Sequence, residues 1–174
     1  MGLAADLGYH HARANLLQRG VQAITSTRPG AWLMSRILAR ADTAVTRLTR
    51  GHVSLPRLLA GLPVLVLTST GRRSGQPRST HLIALPFGDT VALLGTNFGQ
   101  AATPAWVLNL EADPRASVTY DGVTREVVAR EATEEERSRI LAASTSIYGG
   151  YVKYQQRITG RRLRTFVLEP VSSR

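Results

Sequence analysis

Cysteine is absent from this 174-residue chain. That removes disulfides, thiolate metal ligands and a cysteine nucleophile together, and it fits a reducing compartment. Lysine is nearly absent as well: Lys153 stands alone among 22 basic residues, which outnumber 12 acidic ones for a net charge of +10. No apolar run is long enough to span a bilayer. The N-terminus, with Asp6 and scattered polar residues, lacks the charged-then-apolar order of a secretory signal. The expected location is therefore the cytoplasm. Motifs of self-sufficient catalysis are missing too: there is no H-E-x-x-H, no G-x-S-x-G and no acidic pair in a pocket-like context. Of the four histidines only His81 falls in an expected strand near a candidate site, where a packed imidazole is the simpler reading. Chemistry in this chain points to a bound cofactor rather than to its own side chains.

What is present begins with charge. Residues 1–61 hold eight arginines against Asp6 and Asp42. Within them, Leu33, Met34, Ile37, Leu38, Ala41, Ala44, Val45 and Leu48 fall in an arc of roughly 140° on a helical wheel, opposite Arg36, Arg40, Arg47 and Arg50. Such a basic amphipathic helix packs on its own domain with a solvated arginine face, or lies on an anionic membrane surface at the inner face of the cell membrane. The expected organisation is an N-terminal helical extension over residues 1–60 and a barrel domain over 61–174.

From residue 62 the texture changes to strands and tight turns. Apolar, β-branched runs occupy Leu62–Thr70, Ser79–Phe87, Thr90–Thr96, Arg115–Tyr120, Val123–Arg130 and Leu163–Glu169. Gly88-Asp89 and Asp121-Gly122 are two-residue hairpin turns. Helices are expected from Pro104 to about Ala112 and from Glu134 to Ile147, the latter opened by a capping box of Thr133 with Glu136. Hairpin links without helical crossovers imply an α+β, mostly antiparallel sheet closed into a small split β-barrel.

The loop between the first two strands is the strongest local signal. Thr70-Gly71-Arg72-Arg73-Ser74-Gly75-Gln76-Pro77-Arg78 joins two glycines, three arginines and hydroxyls, the donors that phosphate or carboxylate takes. It lacks the spacing of a Rossmann or Walker loop. Read by itself it is either an anion cradle or a surface hairpin with solvated arginines. A second cluster, Tyr148, Tyr151 and Tyr154, shares one face at helical spacing. These rings either pack a helix on the barrel or cap a flat aromatic ligand.

Three segments together resemble the deazaflavin-dependent nitroreductase family, the split β-barrel reductases of actinobacteria that use coenzyme F420. They are Thr68 to Thr80, Gly95-Thr-Asn-Phe-Gly99, and Pro104-Ala-Trp106-Val-Leu-Asn109 through Pro114, within a similarity that spans about residues 60–170. Arg73, Thr103 and Phe98 stand where the family usually has Lys, His and Gly. The resemblance implies that the Thr70–Arg78 loop, through Arg72, Arg73, Ser74 and Arg78, holds the phosphate and oligoglutamate tail of F420. It implies that Thr96, Asn97 and Gly99, with Trp106 and Asn109, wall the deazaflavin ring. It also implies that Tyr148, Tyr151 and Tyr154 orient an electron-poor acceptor, a quinone or nitroaromatic, one of them or Thr96 giving its oxygen a proton or hydrogen bond. A split-barrel enzyme binding FMN, and a non-catalytic binder of anionic lipid or nucleic acid, are the rival readings. Nucleic acid is not expected, because only Trp32 offers a stacking ring in the basic third. A homodimer is neither required nor excluded by the sequence.

Overall fold

The computed structural model describes residues 2–9, 27 and 63–171. The boundary expected at residue 60 and the basic helical period over Trp32–Arg50 lie outside the described residues. Seven strands form one antiparallel sheet: β1 (Val64–Thr70), β2 (Pro77–Ile83), β3 (Leu85–Phe87), β4 (Thr90–Leu94), β5 (Arg115–Tyr120), β6 (Val123–Glu131) and β7 (Thr165–Pro170). Among the described residues the helices are α1 (Leu3–Asp6), α2 (Ala105–Ala112), α3 (Glu134–Ile147) and α4 (Gly150–Arg157), with a 3₁₀ turn at Asn97–Gly99. None is long and apolar enough to cross a membrane.

Strand order is β2-β1-β5-β6-β7-β4-β3. Consecutive strands β2 and β3 therefore occupy opposite edges, and the chain turns between them at Ala84. The run expected as one strand over Ser79–Phe87 is two, because Ala84 leaves both ladders: its N–H donates to the Pro63 carbonyl (2.8 Å) and its own carbonyl accepts from the Tyr9 hydroxyl (3.1 Å). That corner brings the two edges toward each other and curls the sheet into a split barrel.

Alternation along the strands sorts side chains to two cores. Leu65, Leu67, Val91, Leu93, Val118, Phe166 and Leu168 meet in the main one. Val64, Leu85, Ala92, Leu94 and Val167 face the other, beneath Ile140 and Ile147 of α3. Each fully buried leucine is worth about 1.5–3 kcal/mol. The N-terminal segment belongs to the body of the fold: Leu3 and Leu7 lie in the main core, and the Ala4 N–H donates to the Asp89 carbonyl of the β3–β4 turn (3.0 Å).

The capping box of α3 forms as expected. Glu136 accepts from the Thr133 N–H (2.9 Å), and the Thr133 hydroxyl accepts from the Glu136 N–H (3.2 Å). Glu136 also takes both arms of the Arg130 guanidinium (2.6 and 2.7 Å), whose Nε reaches Glu169 (2.6 Å). Arg130, then the Thr133 amide, lower the Glu136 carboxyl to about 2. A depressed carboxyl stabilises the fold above its unfolded value and loses that contribution as pH falls toward its folded one. Glu136→Gln is therefore expected to cost about 1–2 kcal/mol at pH 7, a modest figure because Arg130 is partly solvated. Denaturant melts from pH 7 down to pH 3 should show the gap from wild type narrowing below about pH 4.5. A gap of constant size would contradict the assignment.

Candidate active site

The β1–β2 loop is a compact hairpin whose backbone is tied to itself. The Gly71 N–H donates to the Gln76 carbonyl (2.9 Å), and the N–H groups of Ser74 and Gly75 both donate to the Gly71 carbonyl (3.1 and 2.8 Å). A Cβ on Gly71 would stand 2.8 Å from Ser74 Oγ and 3.0 Å from the Gln76 carbonyl oxygen, so this turn closes only around glycine. Ser74 Oγ accepts from the Gln76 N–H (3.3 Å) and lies 3.4 Å from the Arg78 guanidinium. Arg72, Arg73 and Arg78 are exposed, and among the described residues no carboxylate pairs with any of them. Three uncompensated guanidinium groups on one hairpin are a donor set for a polyanion. They fit the phosphate and glutamate tail that the resemblance implies.

Asn109 fixes this loop from behind. It projects from α2, buried, with Oδ1 accepting from the Arg72 N–H (3.1 Å) and Nδ2 donating to Ser69 Oγ (3.3 Å). Both polar ends are thus spent inside the fold. Trp106, one turn earlier, is likewise buried and packs edge-on against Phe166 at 5.9 Å between centroids. In the described geometry these two residues set the place of α2.

The second loop, Gly95 to Gln100, lies on the other side of α2, where Val107 Cγ2 would be 2.9 Å from a Cβ on Gly95. Asn97, Phe98 and Gly99 all have positive φ (46°, 55° and 76°). Two non-glycine residues in this region cost about 1–3 kcal/mol each and persist only where their surroundings hold them. Asn97 Nδ2 donates to the Ala102 carbonyl (2.9 Å). Gly99 is packed so closely on α4 that a Cβ would meet Arg157 Cβ at 3.1 Å and Tyr154 Cα at 3.3 Å. The residue that sequence reasoning missed is Arg161. Its guanidinium donates to the carbonyls of Gly95 (3.0 Å), Thr96 (3.0 Å) and Gln100 (3.2 and 3.3 Å). Burial pulls its pKa below the usual arginine value. Nothing in the spacing of Arg161, Arg162 and Arg164 distinguishes the one that turns inward.

The tyrosines follow directly. The Phe98 ring meets Tyr154 edge-on at 6.1 Å. Tyr148, Tyr151 and Tyr154 are buried against one another, with centroids 5.5, 5.8 and 6.5 Å apart, and the Tyr148 and Tyr154 hydroxyls are 3.0 Å apart. They do not share one helix: α3 stops at Ile147, Tyr148 is extended, and α4 restarts at Gly150. Gly150 is needed because a Cβ would lie 2.3 Å from the Tyr148 ring. Burial raises the hydroxyl pKa of Tyr151 and Tyr154 far above the ordinary phenol range. At neutral pH these hydroxyls are donors and never bases.

The three sequence motifs therefore form one strip. It runs from the arginine hairpin through Asn109 and α2 to the left-handed loop, and through Phe98 to the tyrosines. His81 sits in β2 opposite Val66, on the strand that leaves the hairpin. Among the described residues no group of His, Asp and Glu gathers as a metal site.

Known proteins resemble this chain in sequence and in fold. The chain is 28% identical over 144 residues to the F420H(2)-dependent quinone reductase Rv1261c of Mycobacterium tuberculosis, covering 79% of this chain and 95% of that protein. It is 27% identical over 109 residues to the putative F420H(2)-dependent quinone reductase Rv3178 of the same species, covering 63% and 91%. Among solved structures, an F420-H2 dependent reductase, FDR-A, superposes with a TM-score of 0.56 at 29% identity, over 62% of this chain and 94% of that one. A chain described as a domain-swapped dimer gives 0.58 at 27% identity, over 81% and 99%. Residues 38–170 match the F420H(2)-dependent quinone reductase family, starting earlier than the motifs alone suggested and taking in part of the basic segment. With a split barrel and that match across most of its length, the chain belongs to the F420H(2)-dependent quinone reductase family and is an F420H2-dependent reductase.

Proposed function

We propose that this enzyme passes a hydride from reduced F420 to a quinone, and adventitiously to nitroaromatic compounds. The observation that carries the reading is the set of Arg72, Arg73 and Arg78, without a carboxylate partner among the described residues and joined through Asn109 to the rest of the strip. When bound, the cofactor supplies a hydride from C5 of its deazaflavin ring. The chain's own residues do the rest. The three arginines, with Ser74 and the Thr70–Arg78 backbone, hold the phosphate and tail. The Thr96–Gly99 loop orients the ring and excludes water from one side of it. The Tyr148–Tyr154 hydroxyl pair, with Tyr151 beside it, orients the acceptor and donates to its oxygen. The hydride brings both electrons, leaving the quinone as a hydroquinone monoanion, and one proton from solvent then completes the hydroquinone.

The test is a titration with F420 beside one with FMN, followed by F420H2-dependent turnover of a quinone series and of nitroaromatics. Micromolar or tighter F420 binding, much weaker FMN binding and faster turnover of quinones are expected. Tight FMN binding with weak F420 binding would move the protein to the flavin branch. A lipid-soluble quinone is met at a bilayer, and the basic period over residues 32–50 supports peripheral contact with anionic lipid. Arg36→Glu/Arg40→Glu/Arg47→Glu should then abolish flotation with anionic liposomes and leave F420 affinity intact; unchanged flotation would sink that part.

A further inference from the structure

The Gly95–Gln100 loop holds an unused pair of donors. Thr96 is right-handed (φ −73°, ψ −30°) and Asn97 is left-handed, a succession in which consecutive backbone N–H groups converge on a concavity that takes anionic oxygen. The Thr96 N–H is taken by the Leu94 carbonyl (2.9 Å), and those of Gly99 and Gln100 by Thr96 and Asn97 (2.9 Å each). The N–H groups of Asn97 and Phe98 make no hydrogen bond among the described residues. On the carbonyl side of the same loop sits Arg161, which joins the carbonyls at the entry and exit of the turn with all three of its nitrogens. No described carboxylate neutralises it. One cation thus fixes the strained backbone, polarises its peptide units and leaves a net positive charge beneath two open donors.

We infer that Arg161 is the positioning residue of an oxyanion site formed by the amides of Asn97 and Phe98. Its ligand is a carbonyl-type oxygen that carries more negative charge in the reduced form of its ring than in the oxidised form. Two oxygens have that chemistry: one on the cofactor's ring, richer in electrons before the hydride leaves, and one on the quinone, which gains charge as it accepts the hydride. The inference rests on the reading of this loop as a wall of the cofactor ring. Arg161 touches neither partner itself. It acts by holding the loop and by its charge, and lysine is a poor substitute because an ammonium cannot bridge three carbonyls in one plane.

Arg161→Gln and Arg161→Lys separate the sources. Wild type and both variants are titrated with oxidised and with reduced F420, melted, and assayed at saturating cofactor and quinone. If the oxygen belongs to the cofactor, Arg161→Gln should lose about tenfold more affinity for the reduced form than for the oxidised form, with Arg161→Lys between. If it belongs to the acceptor, the ratio of the two affinities holds while kcat falls about tenfold at unchanged KM. Equal losses for both forms that follow the melting temperature, with kcat intact, would make Arg161 merely structural and overturn the inference. So would a glutamine variant indistinguishable from wild type. Wild-type protein that bound neither form of F420 would instead sink the cofactor reading beneath it.

Discussion

Arg72→Ala/Arg73→Ala/Arg78→Ala is expected to weaken F420 binding by roughly three orders of magnitude, about tenfold for each charge-assisted contact removed. The fold should not notice. All three side chains are exposed, and the hairpin is closed by backbone bonds from Gly71, Ser74 and Gly75 rather than by the guanidinium groups. Fluorescence titration and melting of the same samples therefore separate the two effects. Wild-type affinity should also fall with added salt, since exposed charges are screened within about 10 Å at 0.1 M. The triple variant should lose most of that salt dependence. A loss below tenfold, or a salt slope that survives the substitution, would move the tail of the cofactor to another part of the surface.

Asn109→Ala should cost about 2–3 kcal/mol of stability and at least tenfold in F420 affinity. The side chain is buried, and removing it strands the Arg72 N–H and the Ser69 hydroxyl together. The binding loss arises at a distance, because Arg72 then hangs from a hairpin with no anchor to α2. Asn109→Asp makes the comparison sharper. It keeps the acceptor for Arg72 but loses the donor to Ser69, and it buries a carboxylate whose only compensation is the neighbouring basic loop. Chemical denaturation alongside F420 titration checks both. An Asn109→Ala protein as stable as wild type would show the clamp to be idle.

These two sites differ in how far the sequence discloses them. The arginine hairpin is visible because glycine, arginine and hydroxyl residues each carry local chemistry that neighbours do not alter. Asn109 is visible only as part of a motif, and its inward orientation depends on which face of α2 meets β1. The same limit explains Ala84. The alternation across Ser79–Phe87 is continuous, and nothing within it says that Ile83 pairs with β1 while Leu85 pairs with β4. Local turn chemistry was legible to the residue at Asp121-Gly122 and at Thr133, where backbone and side chain decide the matter within four positions. Tyr148 was harder. The three tyrosines do gather as their spacing suggests, but the helix breaks beneath them at Tyr148, and only glycine at position 150 leaves room for the Tyr148 ring. Arg161 left no local trace, since three carbonyls from a distant loop define it.

The position of β7 has a consequence for how the chain is completed during synthesis. It lies between β6 and β4, and it is the sole strand that hydrogen-bonds to both. The Thr90 hydroxyl also donates to the Leu168 carbonyl, 78 residues later. Until Thr165–Pro170 leaves the ribosome, β2-β1-β5-β6 and β3-β4 are two separate ribbons with no shared ladder, and the corner at Ala84 has nothing to close. Topologies governed by such distant pairings assemble slowly. The edges of β6 and β4 therefore stay open from the synthesis of β6 until Thr165–Pro170 has emerged, and that one strand conceals both.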